Sequence, residues 1–207
     1  MDSMHPPSLR LQHRIIRACE RRLGVHCYRI RSRRLDQPAP TWAASPSTIE
    51  IRRATDAELW RATENPDSGI SRAFLGPALE RGDIAFAAFD DETIVAYGWW
   101  SAGGAPHDEL RVSISSPYVY TYKGFTLPSH RGLRLNINVI AAANSELRSR
   151  GFTHMIGFVA LYNRSKLKHD RESGFQTVGY AGYFRWGAQT WHFRSPSVRQ
   201  VGFRFHS

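Results

Sequence analysis

The stretch from residue 119 to 161 restricts the possible folds more than any other. Residues 119 to 127 (VYTYKGFTL) are β-branched and aromatic and read as a strand, which Pro128 ends. A helical pattern follows over residues 133 to about 150, with Leu135, Ile137, Val139, Ile140, Ala143 and Leu147 on one side, and stops at Gly151. Residues 154 to 161 are apolar again and read as a second strand. Strand, helix and strand in immediate succession form the crossover that joins two parallel neighbours in one sheet. The chain is therefore α/β or α+β.

The other elements are placed around this crossover. Residues 48 to 53 read as a short strand, and Thr55 or Asp56 caps a helix running to about Glu64, where Asn65-Pro66-Asp67 breaks it. A second helix is predicted over residues 71 to 81, ending at Gly82. Two apolar runs, 84 to 89 and 93 to 100, flank the turn Asp90-Asp91-Glu92 and make a hairpin. Gly103, Gly104 and Pro106 open a loop. A polar helix over residues 164 to 172 is closed by Gly174, and residues 175 to 186 and 190 to 193 are terminal strands. Strict alternation along residues 118 to 126 places Tyr118, Tyr120, Tyr122, Gly124 and Thr126 on one face.

Charge divides the chain unevenly. Its 207 residues carry a net +10. Residues 1 to 34 hold nine arginines against Asp2 and Glu20, a net of +7, which leaves +3 for the remainder. Residues 9 to 23 read as a helix with Arg10, Arg14, Arg17 and Arg21 in one stripe. Residues 26 to 34 read as a strand, and residues 37 to 47 (QPAPTWAASPS) as a linker. The expected organisation is a basic extension over residues 1 to 47 and a domain over residues 48 to 207. Such an arm suits an acidic partner or an anionic membrane surface; nucleic acid is disfavoured because the domain itself is only mildly basic. No run of residues is long and apolar enough for a spanning helix, and Cys19 and Cys27 form no disulfide framework, so a cytoplasmic protein is expected. The histidines show no metal-ligand spacing, and no metal is expected.

Chemistry is expected where the strand ending at Leu127 meets the following helix. The first amides of a helix lack intrahelical acceptors, and the helix dipole adds partial positive charge there, so a phosphate can dock. Gly132 lets backbone approach closely, and Arg131 and Arg134 add charged donors.

Pro128, Arg131 and Gly132, with Asn163 thirty-two residues after Arg131 and Gly174-Phe175 eleven residues after Asn163, resemble the two signatures of the GNAT acyltransferase superfamily. The resemblance covers residues 48 to 193. It implies a mixed, mainly antiparallel sheet flanked by helices, and a coenzyme A donor, acetyl-coenzyme A or another acyl-coenzyme A, held by Phe125, Thr126, Leu127, Arg131, Gly132, Leu133, Arg134, Leu135, Asn136, Asn163 and Lys166. It implies direct acyl transfer to the amine of a small molecule or peptide. Tyr120 occupies the place where several relatives carry a glutamate base, and with no carboxylate on that strand, Glu109, His107 and Asp108 just upstream are the alternative bases. Tyr120 and Tyr122 are expected to line the acceptor pocket. The sequence departs from the family pattern in four places: Arg134 and Asn136 stand where glycine or alanine is common, Lys166 where serine is common, and Asp170 where a tyrosine acid is common. Two other readings keep the fold: an N-acyltransferase fed by an acidic acyl carrier protein docked on the arginine stripe, and a degenerate module that binds without catalysis.

Overall fold

A computed structural model describes residues 24–38, 48–107, 110–187 and 189–206. The helix expected over residues 9 to 23, most of the linker, and Asp108 and Glu109 lie outside the described residues.

Eleven strands and five α-helices are present among the described residues. The strands are β1 (Val25–Arg34), β2 (Ile49–Arg53), β3 (Ile84–Asp90), β4 (Thr93–Ser101), β5 (Pro106–His107), β6 (Leu110–Ser113), β7 (Tyr118–Thr126), β8 (His154–Ala160), β9 (Gln176–Trp186), β10 (Gln189–Arg194) and β11 (Arg204–His206). The helices are α1 (Asp56–Ala62), α2 (Arg72–Glu80), α3 (Leu135–Ser149), α4 (Arg164–Glu172) and α5 (Pro196–Gln200). Eight strands make one sheet in the order β10-β9-β1-β8-β7-β4-β3-β2, in which β7 and β8 are the single parallel pair. The α/β fold class, mainly antiparallel with flanking helices, is the one the sequence implies.

Local chemistry explains the helix starts. Thr55 and Glu58 close a capping box on α1, and Arg52 from β2 holds the same Glu58 carboxylate at 2.7 and 3.0 Å. Ser71 caps α2 through the Phe74 amide. The sheet packs on both faces. Leu135, Val139, Ala143 and Leu147 of α3 meet Phe86, Trp100, Val119 and Met155 on one side. On the other side, α1 and α2 cover β3 and β4 through Leu59, Leu75, Ala87, Tyr97 and Trp99.

Three findings correct the sequence reading. First, β1 is a member of the eight-stranded sheet. It lies between β8 and β9, with Tyr28 opposite Ala160 and Ala181, and its Ile30 is completely buried. Two of the nine arginines, Arg31 and Arg33, are buried with it. Arg31 donates to the Phe175 carbonyl, and Arg33 donates to Asn144 Oδ1 at 2.9 Å and to the Gln37 carbonyl at 3.1 Å. Arginines at alternate positions read as a solvent-facing edge; here they are inside because carbonyl and amide oxygens receive them.

Second, the alternation along β7 breaks. Gly98 pairs with Gly124 but Trp99 pairs with Tyr122, so Lys123 is an extra residue in the ladder, a β-bulge. Tyr120 and Tyr122 face away from α3, whereas Gly124 and Thr126, beyond the bulge, line the groove beside it. Third, residues 106 to 113 and 196 to 206, read as loop or left without an element, supply β5, β6, α5 and β11. β5, β6 and β11 form a second small sheet. Its Val112, Phe203 and Phe205 pack on Tyr28, Tyr120 and Tyr183. Segments this short carry too few residues for a period to show.

Candidate active site

β7 and β8 are paired only from Tyr118–Tyr120 to His154–Ile156 and then part. Gly157 stands at the fork. A Cβ there would sit 2.8 Å from the Thr121 carbonyl oxygen, so only glycine lets the two backbones diverge from so close an approach. Beyond the fork, the β8-facing side of residues 121 to 126 has no ladder partner from β8.

The fork opens into a groove of about 680 Å³ bounded by β7, the loop after it, the start of α3 and the start of α4. The loop begins as a 3₁₀ turn, Pro128–His130, tied down by His130, whose Nε2 donates to Asp90 Oδ2 at 3.1 Å and whose Nδ1 lies 2.9 Å from Ser129 Oγ. Gly132 has φ +89°, and a Cβ on it would meet nothing within 4 Å: the loop is open to a ligand. Arg134 takes φ +56°, the left-handed region that favours glycine, and is the N-cap of α3. Arginine thus holds a backbone conformation that glycine would adopt at no steric cost. No side chain caps α3, so its first amides face the groove with the positive end of the helix dipole. Asn136 Nδ2 donates to Thr126 Oγ1 at 2.8 Å and staples the helix start to β7.

Across the groove, Asn163 caps α4 through the Lys166 amide at 3.0 Å and lines the wall. Lys166 Nζ lies 2.9 Å from Asp170 Oδ1. Burial alone would raise the Asp170 pKa, but His169 and Lys166 outweigh it and hold the carboxyl below its ordinary value. Asp170 is therefore an anchor for Lys166, and no acid replaces the family's phenol at this position.

A second cavity of about 440 Å³ meets the groove at the fork and shares Thr121, Tyr122, Gly124, Ile140 and Lys166 with it. Tyr120, His107, Phe158 and Phe74 form much of its wall. Tyr120 stacks on Tyr122 with centroids 5.5 Å apart and is almost completely buried. Burial, and then its neighbour Tyr122, push the Tyr120 phenol far up, which favours its protonated form. Burial also raises Tyr122, whose hydroxyl donates to Asp83 Oδ2 at 2.7 Å. Arg81 completes this buried set, donating to the same Asp83 oxygen at 2.7 Å. His107 Nε2 lies 3.4 Å from the Tyr28 hydroxyl.

The structure therefore brings Phe125, Thr126, Arg131, Gly132, Arg134, Leu135, Asn136, Asn163 and Lys166 to one groove. It places Tyr120 and Tyr122 on the adjoining cavity. Leu127 packs into the core under α3 and Leu133 is exposed outside the groove; neither lines it. Glu109 lies outside the described residues. Arg31, Phe74, Lys123 and the Arg81–Asp83 pair were not legible as site residues, because a buried β1 and a bulge carry the first and third there and no motif marks the others. Among the described residues no group of His, Cys, Asp or Glu is arranged to hold a metal ion, and no helix is long and apolar enough to cross a membrane.

The described sheet is thus mainly antiparallel, with its one parallel pair forking over an uncapped helix start. Solved structures agree with this. The aminoglycoside N-acetyltransferase AAC(6')-Iy, in complex with the bisubstrate analogue CoA-S-monomethyl-acetylneamine, is similar at 22% identity and a TM-score of 0.50, over 63% of this chain and 92% of that one. A GCN5-related N-acetyltransferase from Sphaerobacter thermophilus is similar at 14% identity and 0.51, over 87% of this chain and 56% of that one. The glucosamine N-acetyltransferase region of a fungal multi-domain β-N-acetylglucosaminidase is similar at 14% identity and 0.50, over 93% of this chain and 23% of that one. No family model matches the chain, and no curated protein does. At these identities the likeness is one of fold.

Proposed function

We propose that the protein is a cytoplasmic N-acyltransferase that moves an acyl group, acetyl in the simplest case, from coenzyme A to an amine. The observation that carries this reading is the fork between β7 and β8, which joins a groove headed by an uncapped helix start to a second, aromatic cavity. The groove suits coenzyme A on its own features: the open face at Gly132, the α3 amides, Arg131 and Arg134 suit a pyrophosphate. The unpaired edge of β7 suits an amide-bearing arm that needs backbone partners.

When bound, acyl-coenzyme A would supply a thioester carbon to which a neutral amine can add, so that a C–N bond forms, a C–S bond breaks, one proton leaves nitrogen and one reaches sulfur. The chain's residues provide for each need. Arg131, Arg134 and the first α3 amides hold anionic oxygens, and Asn163 and Phe125 bound the arm's path. Tyr120, Phe158 and Phe74 exclude water at the fork. An ordinary amine, with a pKa of about 10, is mostly protonated at neutral pH. His107 on the second cavity's wall is the base in this reading, taking that proton at Nε2 or Nδ1. Lys166, fixed by Asp170 where groove and cavity meet, is placed to give a proton to sulfur from Nζ.

Thermal denaturation with and without acetyl-coenzyme A tests the reading. A cofactor at 100 times its Kd stabilises by about 2.7 kcal/mol, and substituting Arg131 by alanine should shrink that effect. Absence of any shift at millimolar cofactor refutes the proposal. The stripe of Arg10, Arg14, Arg17 and Arg21, on which the carrier-protein and membrane readings rest, lies outside the described residues.

A further inference from the structure

The second cavity is electrostatically lopsided. Arg31, Lys123 and Lys166 line it, and among the described residues its one carboxylate is Asp170. That carboxylate is already committed, lying 2.9 Å from Lys166 Nζ and 3.8 Å from His169 Nδ1. Arg31 is 5% exposed, spends a guanidinium nitrogen on the Phe175 carbonyl, and has a buried Nε with no acceptor. Lys123 is half-buried, with Nζ 4.6 Å from the centre of the Phe74 ring. No carboxylate among the described residues lies within ion-pair distance of it. Burial pulls its pKa down, the response of a cation that has lost water without gaining an anion.

The position of Lys123 follows from the backbone. Regular alternation would turn it toward α3 with Val119 and Thr121; the bulge between Tyr122 and Gly124 re-aims it toward α2 and the second cavity. A desolvated ammonium beside the place where an acceptor enters rejects like charge and favours a ligand that brings an anion. A polycationic acceptor, such as the acetylneamine part of the analogue bound to AAC(6')-Iy, would meet three cations and, among the described residues, no free carboxylate here.

We infer that the acceptor is an amine that also carries an anionic group, and that Lys123 receives that group. The inference rests on the acyl-transfer reading above. It assigns Lys123 to acceptor selection and leaves the coenzyme A groove to other residues.

The test is a panel of primary amines in four series: free α- and β-amino acids, their carboxamides, phosphate-bearing amines such as phosphoethanolamine, and the polycations neamine and spermidine. Acylation is followed by thiol release from acetyl-coenzyme A. Binding of the same amines to the coenzyme A-bound protein is followed by titration calorimetry. Anionic amines should be acylated and bound in preference to carboxamides and polycations, and the better of the two anionic series identifies the anion. Lys123→Met should lower kcat/KM for anionic amines about 10- to 100-fold and remove their advantage over the carboxamides. Lys123→Arg should restore that advantage, Lys123→Glu should shift preference to cationic amines, and the thermal shift given by coenzyme A should stay the same in all three. Preference for carboxamides or polycations, acylation of no anionic amine, or an unchanged acid-to-amide ratio in Lys123→Met overturns the inference. If coenzyme A itself gives no thermal shift, the proposed function fails first.

Discussion

Replacing Ile30 by alanine measures how far the first strand belongs to the domain. Ile30 is completely buried in β1 and packs in one cluster with Tyr28, Ile156, Ala181 and Val198. A buried Ile→Ala change costs about 2–5 kcal/mol, from lost transfer energy plus the cavity left behind. For a domain of this size, each kcal/mol lowers Tm by about 2–4 °C, so a fall of roughly 4–20 °C is expected. Urea unfolding followed by tryptophan fluorescence provides the assay, because Trp99 and Trp100 are buried in the same sheet and report on its collapse. Ile30→Val, which keeps most of the volume, should cost only about 0.5–1.5 kcal/mol. A loss below about 1 kcal/mol for the alanine variant, or a separate early transition that leaves the main one unmoved, would mean that β1 is an appendage after all. We accordingly propose that the domain begins no later than Val25, not near Thr48.

Gly157→Ala should destabilise the fork by about 1–3 kcal/mol, because its Cβ would meet the Thr121 carbonyl at 2.8 Å, and should reduce the coenzyme A thermal shift. Arg134→Gly should stabilise the chain by up to about 1 kcal/mol by removing a side chain from a φ of +56°, while weakening coenzyme A binding; Arg134→Ala should weaken binding without the gain, as melting curves with and without cofactor can show. Glu58 is drawn from its usual 4.5 down to about 2, first by its bonds to Arg52 against the opposing cost of burial, and then by Thr55. Its folded pKa is depressed, so its contribution is complete above about pH 4.5 and is lost as pH falls toward 2. Discounted for exposure of the pair, this amounts to about 1–2 kcal/mol, and the difference in urea midpoint between wild type and Glu58→Gln should shrink from pH 7 to pH 3.

The legible part of this fold is the part whose pattern is local. The α3 stripe, the β3–β4 hairpin, the Thr55 cap and the loop around Gly132 all declare themselves through neighbours within a few residues. β1 was visible as a strand but misplaced, since nothing near Tyr28 announces that its partners are Ala160 and Ala181. The same limit hid Lys123. Its bulge is a mismatch between two strands, Gly98–Trp99 against Tyr122–Gly124, and neither strand alone contains it. Asp83 and Arg81 look like an ordinary polar turn after a helix until Tyr122, distant in sequence, delivers its hydroxyl to them. The groove is legible through loop and cap chemistry; of the cavity beside it only Tyr120 and Tyr122 are, and tertiary packing supplies the rest.

The central place of β1 also sets the order in which the chain can finish folding. Ile30 must wait for Phe158 and Gly179, both well over a hundred residues later, before either edge of its strand is paired. Contacts so distant in sequence slow folding and prolong the time a strand spends exposed. A bare apolar strand in that interval would invite aggregation. Arg29, Arg31, Arg33 and Arg34 instead make this strand rich in charge, the composition that discourages pairing between exposed strands.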